Sequence, residues 1–113
     1  MVSLSRLNQY RIMWVLVFFD LPTVSTEDKR QYRLFRKRLL NDGFNMFQFS
    51  IYVRHCNSRE NAQVHIQRVK RFLPPAGHVV VMTITDKQFG MIEVFYGDKK
   101  AKPPDPLNQM TLF

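Results

Sequence analysis

The sequence predicts an α+β domain in which two helices pack on one face of an antiparallel sheet. Three patterns indicate this fold: a short apolar run, two amphipathic segments that each begin at a capping residue, and runs rich in β-branched residues after each segment. Their order is that of a split βαβ, ferredoxin-like sandwich. The 113 residues suffice for one domain and exclude a two-domain enzyme. We expect the domain at 1–97, with its core at 12–96, and an extended tail at 98–113.

The first strand is predicted at residues 12–19, where every side chain is aliphatic or aromatic. This run suits a strand and falls far short of the roughly 18 to 20 residues that cross a bilayer. Both faces of such a strand must be covered. Leu21 and Pro22 end it, because proline has no N–H to donate to a neighbouring strand.

The first helix is predicted from a capping box at Ser25 and Asp28 to about Leu40, with Gly43 near its C-terminal cap. Its apolar face comprises Tyr32, Phe35 and Leu39. The second helix begins after a capping pair at Asn57 and Glu60 and ends before the prolines at 74 and 75. Its apolar face comprises Ala62, Ile66, Val69 and Leu73.

Residues 44–55 alternate in polarity and predict one strand, or two strands joined by a bend near Asn45. In this pattern Phe47 and Phe49 share a face with Ile51, whereas Tyr52 lies on the opposite, polar face. The segment GFNMFQF also has some likeness to the aromatic strand of RNA-recognition modules. The match is poor, because Asp42 precedes the glycine where a basic residue is expected, and core positions for both phenylalanines are favoured.

Two further strands are predicted at residues 78–85 and 91–96. The tail after them contains three prolines but ends on apolar side chains. These side chains either dock on a partner or are chance hydrophobic residues of a loose terminus. They are Leu107, Met110, Leu112 and Phe113.

The sheet face away from the helices is predicted to be largely apolar, because the strands at 12–19 and 78–85 carry few polar residues. A soluble domain must cover such a face. The simplest cover is a second copy of the same sheet, so a two-fold, sheet-to-sheet homodimer is expected.

Seventeen Lys and Arg against nine Asp and Glu give a formal charge of +8, which predicts a polyanionic partner. Much of the surplus lies on the first helix. A cationic helix face contacts phosphates and is nearly blind to base sequence. The alternative is a solvated helix surface. The candidate nucleic-acid-binding residues are Lys29, Arg30, Arg33, Arg36 and Lys37.

The single cysteine, Cys56, cannot form an internal disulfide, which favours a reducing, cytoplasmic setting. The N-terminal residues show no signal-peptide pattern, so neither export nor a membrane partner is expected.

Asp20 is the main candidate for catalysis, because a carboxylate at the end of a buried strand is accessible while its backbone is held rigidly. Such a residue could hold Mg²⁺, which uses one or two carboxylates and keeps several waters. In a dimer, two copies of Asp20 could converge near the axis. The alternative is a turn-capping residue.

Other candidates are weaker. His55 and Cys56 are adjacent and point to opposite faces of a strand, so they do not suit a nucleophile and its base. His65 and His78 are isolated in the sequence and fit structural or solvated roles. No glycine-rich phosphate loop is present.

Together, the segments FFDLP, EDKRQYRLFRKRL and GFNMFQFSIY resemble the CRISPR-associated Cas2 family, in the version found with type II systems. The resemblance covers about residues 12–96. It implies a ferredoxin-like homodimer in which Asp20 stands at the proposed metal-ligand position. It also implies two roles: an endonuclease that cuts RNA or DNA with Mg²⁺, and a scaffold that joins Cas integrase dimers while spacers are acquired from foreign DNA.

On this basis, the dimer is expected to hold duplex DNA along its arginine-rich flanks, and the apolar tail suits a strand donated to the integrase. Single-stranded RNA is a further candidate partner. Two alternatives stay open from the residues themselves: a non-catalytic RNA-binding module of ferredoxin-like fold, and a toxin-like ribonuclease of related fold.

Overall fold

The computed structural model describes residues 10–97 and 99–101. Four antiparallel strands form the main sheet in the order β2-β3-β1-β4. This order confirms the ferredoxin-like α+β fold. The strands are β1 Met13–Asp20, β2 Asn45–Gln48, β3 Ile51–Cys56 and β4 His78–Thr85, and the helices are α1 Thr26–Asn41, α2 Arg59–Arg71 and α3 Asp86–Gly90.

A separate hairpin pairs β5 Val94–Tyr96 with β6 Lys99–Ala101. The strand predicted at 91–96 is therefore shorter than expected and does not extend the main sheet. The hairpin also places a strand at the beginning of the segment expected to be an extended tail. The candidate docking residues Leu107, Met110, Leu112 and Phe113 lie outside the described residues.

The main core lies between the sheet and the two long helices. The odd-numbered side chains of β1, from Met13 to Phe19, are buried against Phe35 and Leu39 of α1 and against Ala62 and Val69 of α2. Both helices therefore cover the same face of the sheet, as the apolar faces of the two amphipathic segments predicted.

The opposite sheet face is partly covered by the chain itself, whereas the expected cover was a second copy of the same sheet. Trp14 stacks on Phe89 of α3 with ring centroids 3.8 Å apart, and its indole Nε1 donates to Asp86 Oδ1 at 2.7 Å. Sequence patterns predicted only a connection at residues 86–90. A capping box between Thr85 and Gln88 instead begins a short helix there.

The strand segment at 44–55 contains two strands, and the predicted bend near Asn45 was wrong. The turn falls at Phe49 and Ser50, with a register shift in β2 between Met46 and Gln48. The shift brings Gln48 opposite Ile51, whereas Phe47 and Val53 still share the face away from the long helices, as the alternation predicted. Tyr52, expected on the polar face, is fully buried against the helices, whereas Phe49, expected in the core, is 81% exposed.

Capping residues begin both long helices. Ser25 and Asp28 form the predicted capping box of α1, and Gly43 follows its end with a φ of +90°. The cap of α2 is Ser58 rather than Asn57, because the Ser58 hydroxyl accepts the Asn61 N–H at 3.0 Å. The helix ends at Arg71, so Leu73 lies beyond it and is exposed.

The C-terminal end of α1 is tied to α2 by a buried carboxylate. Asp42 contacts His65 Nδ1 at 2.8 Å and accepts a hydrogen bond from Arg68 at 2.9 Å. His65 is buried, which agrees with the structural role expected for it. No helix within residues 10–97 and 99–101 is long and apolar enough to span a membrane.

Candidate active site and nucleic-acid interface

Asp20 is the last residue of β1, and its side chain is exposed although the strand before it is buried. The adjacent residue Leu21 is itself buried, so the chain is anchored on both sides of the carboxylate. A rigid backbone beneath an accessible acid is the arrangement that a metal or substrate site needs.

Gly77 fixes the backbone at this position. Its φ is +95°, a conformation that glycine adopts without steric cost. A Cβ at this residue would lie 2.6 Å from the carbonyl oxygen of Asp20 and 2.8 Å from Leu21 Cδ2. Only glycine allows the two chain segments to approach so closely.

Asp20 lies at a shallow depression on the sheet face opposite the long helices. Asp20 pairs with His78 across the β1–β4 ladder, so both side chains leave the sheet on the same face. The depression is lined by the apolar residues Phe18, Ile51 and Val80 and by the polar residues Asp20, Ser50 and His78. His78 looks isolated in the sequence, and only the strand register places it beside Asp20.

Metal-ligating residues are sparse at this site. Within residues 10–97 and 99–101, no group of three or more His, Cys, Asp or Glu side chains could hold a metal ion. The carboxylate of Asp20 nevertheless fits Mg²⁺, which takes one or two carboxylates and retains water ligands. Among residues 10–97 and 99–101, no second carboxylate lines the depression.

The depression does not contain a serine nucleophile with its base. Ser50 lies in the turn that leads into β3, whereas His78 begins β4, and these strands flank β1 on opposite sides. Strands two positions apart are separated by about 10 Å, so the hydroxyl and the imidazole do not form a hydrogen-bonded couple.

His55 and Cys56 do not form a reactive pair either. Cys56 is buried, and burial raises the pKa of its thiol. His55 packs edge-on against Trp14 at 5.3 Å, and burial lowers the pKa of its imidazole. A neutral thiol in the core has little thiolate to react. Cys56 and His55 therefore do not act as a nucleophile and its base, which agrees with the prediction from strand geometry.

The five candidate nucleic-acid-binding cations are all exposed on α1. At 3.6 residues per turn they fall within an arc of about 120°. This arc faces away from the core residues Phe35 and Leu39, so the cations form one continuous surface, here called the α1 basic face.

Two cations of the α1 basic face already have partners. Arg30 donates to both carboxylate oxygens of Glu27 at 2.9 Å, and this contact holds the pKa of Glu27 at about 2. Arg36 Nε donates to the hydroxyl of the buried Tyr52 at 2.7 Å. Burial raises the pKa of Tyr52, and the nearby Arg36 opposes that shift.

An aromatic groove lies between the β2–β3 turn and β5. Phe49, Phe95 and Tyr96 are 81%, 53% and 77% exposed, respectively, and line it together with Phe47. Phe47 is partly buried against Phe89, with ring centroids 6.2 Å apart. Sequence patterns did not predict the contributions of β5, because the two segments are far apart in the chain.

Comparison with known proteins identifies the family. The family model for CRISPR associated protein Cas2 matches residues 13–92. A protein of Flavobacterium psychrophilum, named CRISPR-associated endoribonuclease Cas2, is 57% identical over 109 residues, which cover 96% of this chain and 95% of the relative. A protein of Parvibaculum lavamentivorans with the same name is 48% identical, over 89% of this chain and 100% of the relative. Since both kinds of match span most of the chain, this protein belongs to the CRISPR-associated Cas2 family.

Proposed function

We propose that this protein is a metal-dependent endoribonuclease of a CRISPR system, with Asp20 as its catalytic metal ligand. The observation that carries the proposal is the exposed Asp20 carboxylate on a backbone fixed by Leu21 and Gly77. The names of the relatives supply the reaction class. DNA is an alternative substrate for the same chemistry.

The chemistry at Asp20 is hydrolysis of a phosphodiester. A bound Mg²⁺ would supply an activated water and offset negative charge on the phosphate during in-line attack. The contribution of Asp20 is to hold that ion at a fixed place beside the substrate. Asp20 is the only carboxylate that lines the depression within the described residues.

A two-fold dimer completes the proposed site. Val80 and Met82 of β4 are 58% and 44% exposed on the same sheet face as Asp20, and α3 leaves them uncovered. A second copy that packs on this strip would bury it and bring two Asp20 carboxylates toward one axis. Two carboxylates suit the donor preference of Mg²⁺.

The second part of the proposal is a scaffold role in spacer acquisition, with duplex DNA and the Cas integrase as partners. The α1 basic face supports it, because exposed cations on a rigid helix bind the DNA backbone irrespective of sequence. Lys29, Arg33 and Lys37 carry most of this role, since Arg30 and Arg36 have partners within the chain.

The decisive variant for the catalytic role is Asp20→Asn, which keeps the size of the side chain and removes its charge. Highly purified wild type and variant are compared for Mg²⁺-dependent cleavage of a single-stranded RNA and a duplex DNA. We expect the variant to lose cleavage while it keeps its thermal midpoint. Equal cleavage by both proteins would assign the activity to a contaminant and remove the enzyme proposal.

The aromatic groove favours a second candidate function, the binding of single-stranded RNA without cleavage. Exposed Phe49 and Tyr96 offer ring faces on which bases can stack, worth about 1 to 3 kcal/mol per base. Phe49→Ala should then weaken RNA binding and leave stability unchanged. Unchanged RNA affinity in this variant would rule out stacking at Phe49.

A further inference from the structure

His78 pairs directly with Asp20 in the strand register. The proposed mechanism gives this residue no role. We propose that His78 is a substrate-contacting residue of the same site, donating a ring N–H to an oxygen of the phosphate that is cleaved. This inference rests on the proposed endonuclease function and deepens it, because it assigns a protein donor to the substrate.

The placement of His78 brings it within reach of the same substrate as Asp20. His78 is the cross-strand partner of Asp20 in β4. Directly opposed residues in an antiparallel pair have Cβ atoms about 4.5 to 5.5 Å apart and point to the same side. Both side chains line the same depression, so one phosphodiester can contact the two of them together.

The backbone beneath this pair is rigid. Gly77 immediately precedes His78 and lies against the Asp20 carbonyl, where even a Cβ would come within 2.6 Å. The contact fixes both strand ends relative to one another. Donors that are held in place before the substrate arrives contribute most to phosphate or oxyanion stabilisation.

The His78 side chain has no structural role in the part of the chain that the structure describes. Of the three histidines in the sequence, His65 is buried against Asp42, and His55 packs on Trp14. His78 is exposed, and within the described residues its imidazole has no hydrogen bond, ion pair or ring contact. Its side chain is therefore available to a ligand.

The chemistry of imidazole decides whether His78 binds the metal ion or donates a hydrogen bond to the substrate phosphate. Mg²⁺ is a hard cation that prefers oxygen ligands, so a nitrogen beside Asp20 adds little to its binding. Each neutral tautomer of imidazole keeps one N–H donor, which matches the acceptor oxygens of a phosphate. Donation to substrate is therefore favoured over metal ligation.

The test compares full-length wild type with His78→Ala, His78→Asn and Asp20→Asn. Gln63→Ala is the matched control, because it removes an exposed polar side chain from α2. Two quantities are measured: the single-turnover rate of cleavage of a single-stranded RNA oligonucleotide in Mg²⁺, and the affinity for Mn²⁺ by electron paramagnetic resonance. Thermal midpoints check that each variant is folded.

We expect His78→Ala to lower the cleavage rate about ten- to a hundredfold, as for loss of a donor to a charged group. His78→Asn should recover part of this loss, because its amide also donates. Mn²⁺ affinity should fall in Asp20→Asn and stay unchanged in His78→Ala. Gln63→Ala should match wild type in both measurements.

Three results would overturn the inference, and only the third would also overturn the proposed endonuclease function. Full cleavage by His78→Ala with an inactive Asp20→Asn excludes His78 and leaves the endonuclease function standing. A loss of Mn²⁺ affinity in His78→Ala makes His78 a metal ligand and contradicts the donor role. Full cleavage by Asp20→Asn removes the proposed function and this inference with it.

Discussion

Gly77 lies directly against the carbonyl oxygen of Asp20, so close that a methyl group on Gly77 would stand 2.6 Å from that oxygen. The contact joins the end of β1 to the beginning of β4. It also couples the position of the candidate metal ligand to a residue with a φ of +95°.

Gly77→Ala should therefore destabilise the protein by about 1 to 3 kcal/mol, through backbone strain and the clash with Asp20. Cleavage should fall as well, because the carboxylate is displaced. Urea unfolding and the cleavage assay measure the two effects. Gly90→Ala is the control, since a Cβ there meets no atom within 4 Å and its φ is not in the left-handed region. Equal stability of the two variants would contradict the tight contact.

Asp86 should stabilise the covered part of the sheet face through Trp14. Asp86→Ala leaves the buried indole N–H without its acceptor, which costs about 1 to 3 kcal/mol. Trp14 is the only tryptophan in the sequence, so its fluorescence reports unfolding in urea. Glu93→Ala is the control, because it breaks only an exposed ion pair with Lys100. A loss of stability no larger in Asp86→Ala than in the control would argue against this bond.

The α1 basic face should account for most of the affinity for duplex DNA. Replacing Lys29, Arg33 and Lys37 with Gln should lower that affinity. It should also make the slope of log affinity against log salt concentration less steep, by up to about 0.9 for each DNA phosphate that is no longer neutralised. Fluorescence anisotropy across a salt series measures both. The matched control replaces three exposed cations of α2, Arg59, Lys70 and Arg71. If the two triple variants bind equally, DNA binding is not specific to α1.

The contact between Glu27 and Arg30 should make stability depend on pH in the acid range. The folded-state pKa of Glu27 is lowered from 4.5 to about 2 by its hydrogen bond to Arg30. The contribution of a lowered carboxyl pKa is fully present above pH 4.5 and is lost as the pH falls toward 2. The stability difference between wild type and Glu27→Gln should therefore shrink over this window. A difference that stays constant across it would refute the assignment.

The exposed strip on β4 should be the dimer interface. Val80→Lys places a charge on this strip and should shift the protein toward monomer in sedimentation experiments at micromolar concentration. Val64→Lys is the control, because Val64 is 46% exposed on α2, on the helix side of the sheet. Wild type that sediments as a stable monomer would exclude the dimer and the pairing of two Asp20 carboxylates.

Local patterns predicted the long elements well because their causes lie within a few residues. The apolar run of β1 and the Ser25–Asp28 capping box each act over one strand or one helical turn. Tyr52 and Phe49 were placed wrongly for two separate reasons: the long helices cover the Tyr52 face of β3, and Phe49 lies in the turn between β2 and β3. A period-two pattern shows which residues share a face, but neither which face the helices will cover nor where a turn interrupts the strand.

The sequence by itself determined the ferredoxin-like order of elements, the accessible carboxylate of Asp20 and a helix with one cationic face. Each of these follows from side-chain chemistry and spacing along a continuous stretch of chain. Only the tertiary structure decided that His78 stands opposite Asp20, that Gly77 fixes both, and that α3 folds back over Trp14. These contacts join residues that are distant in the chain, so they depend on strand register and packing, which no local pattern encodes.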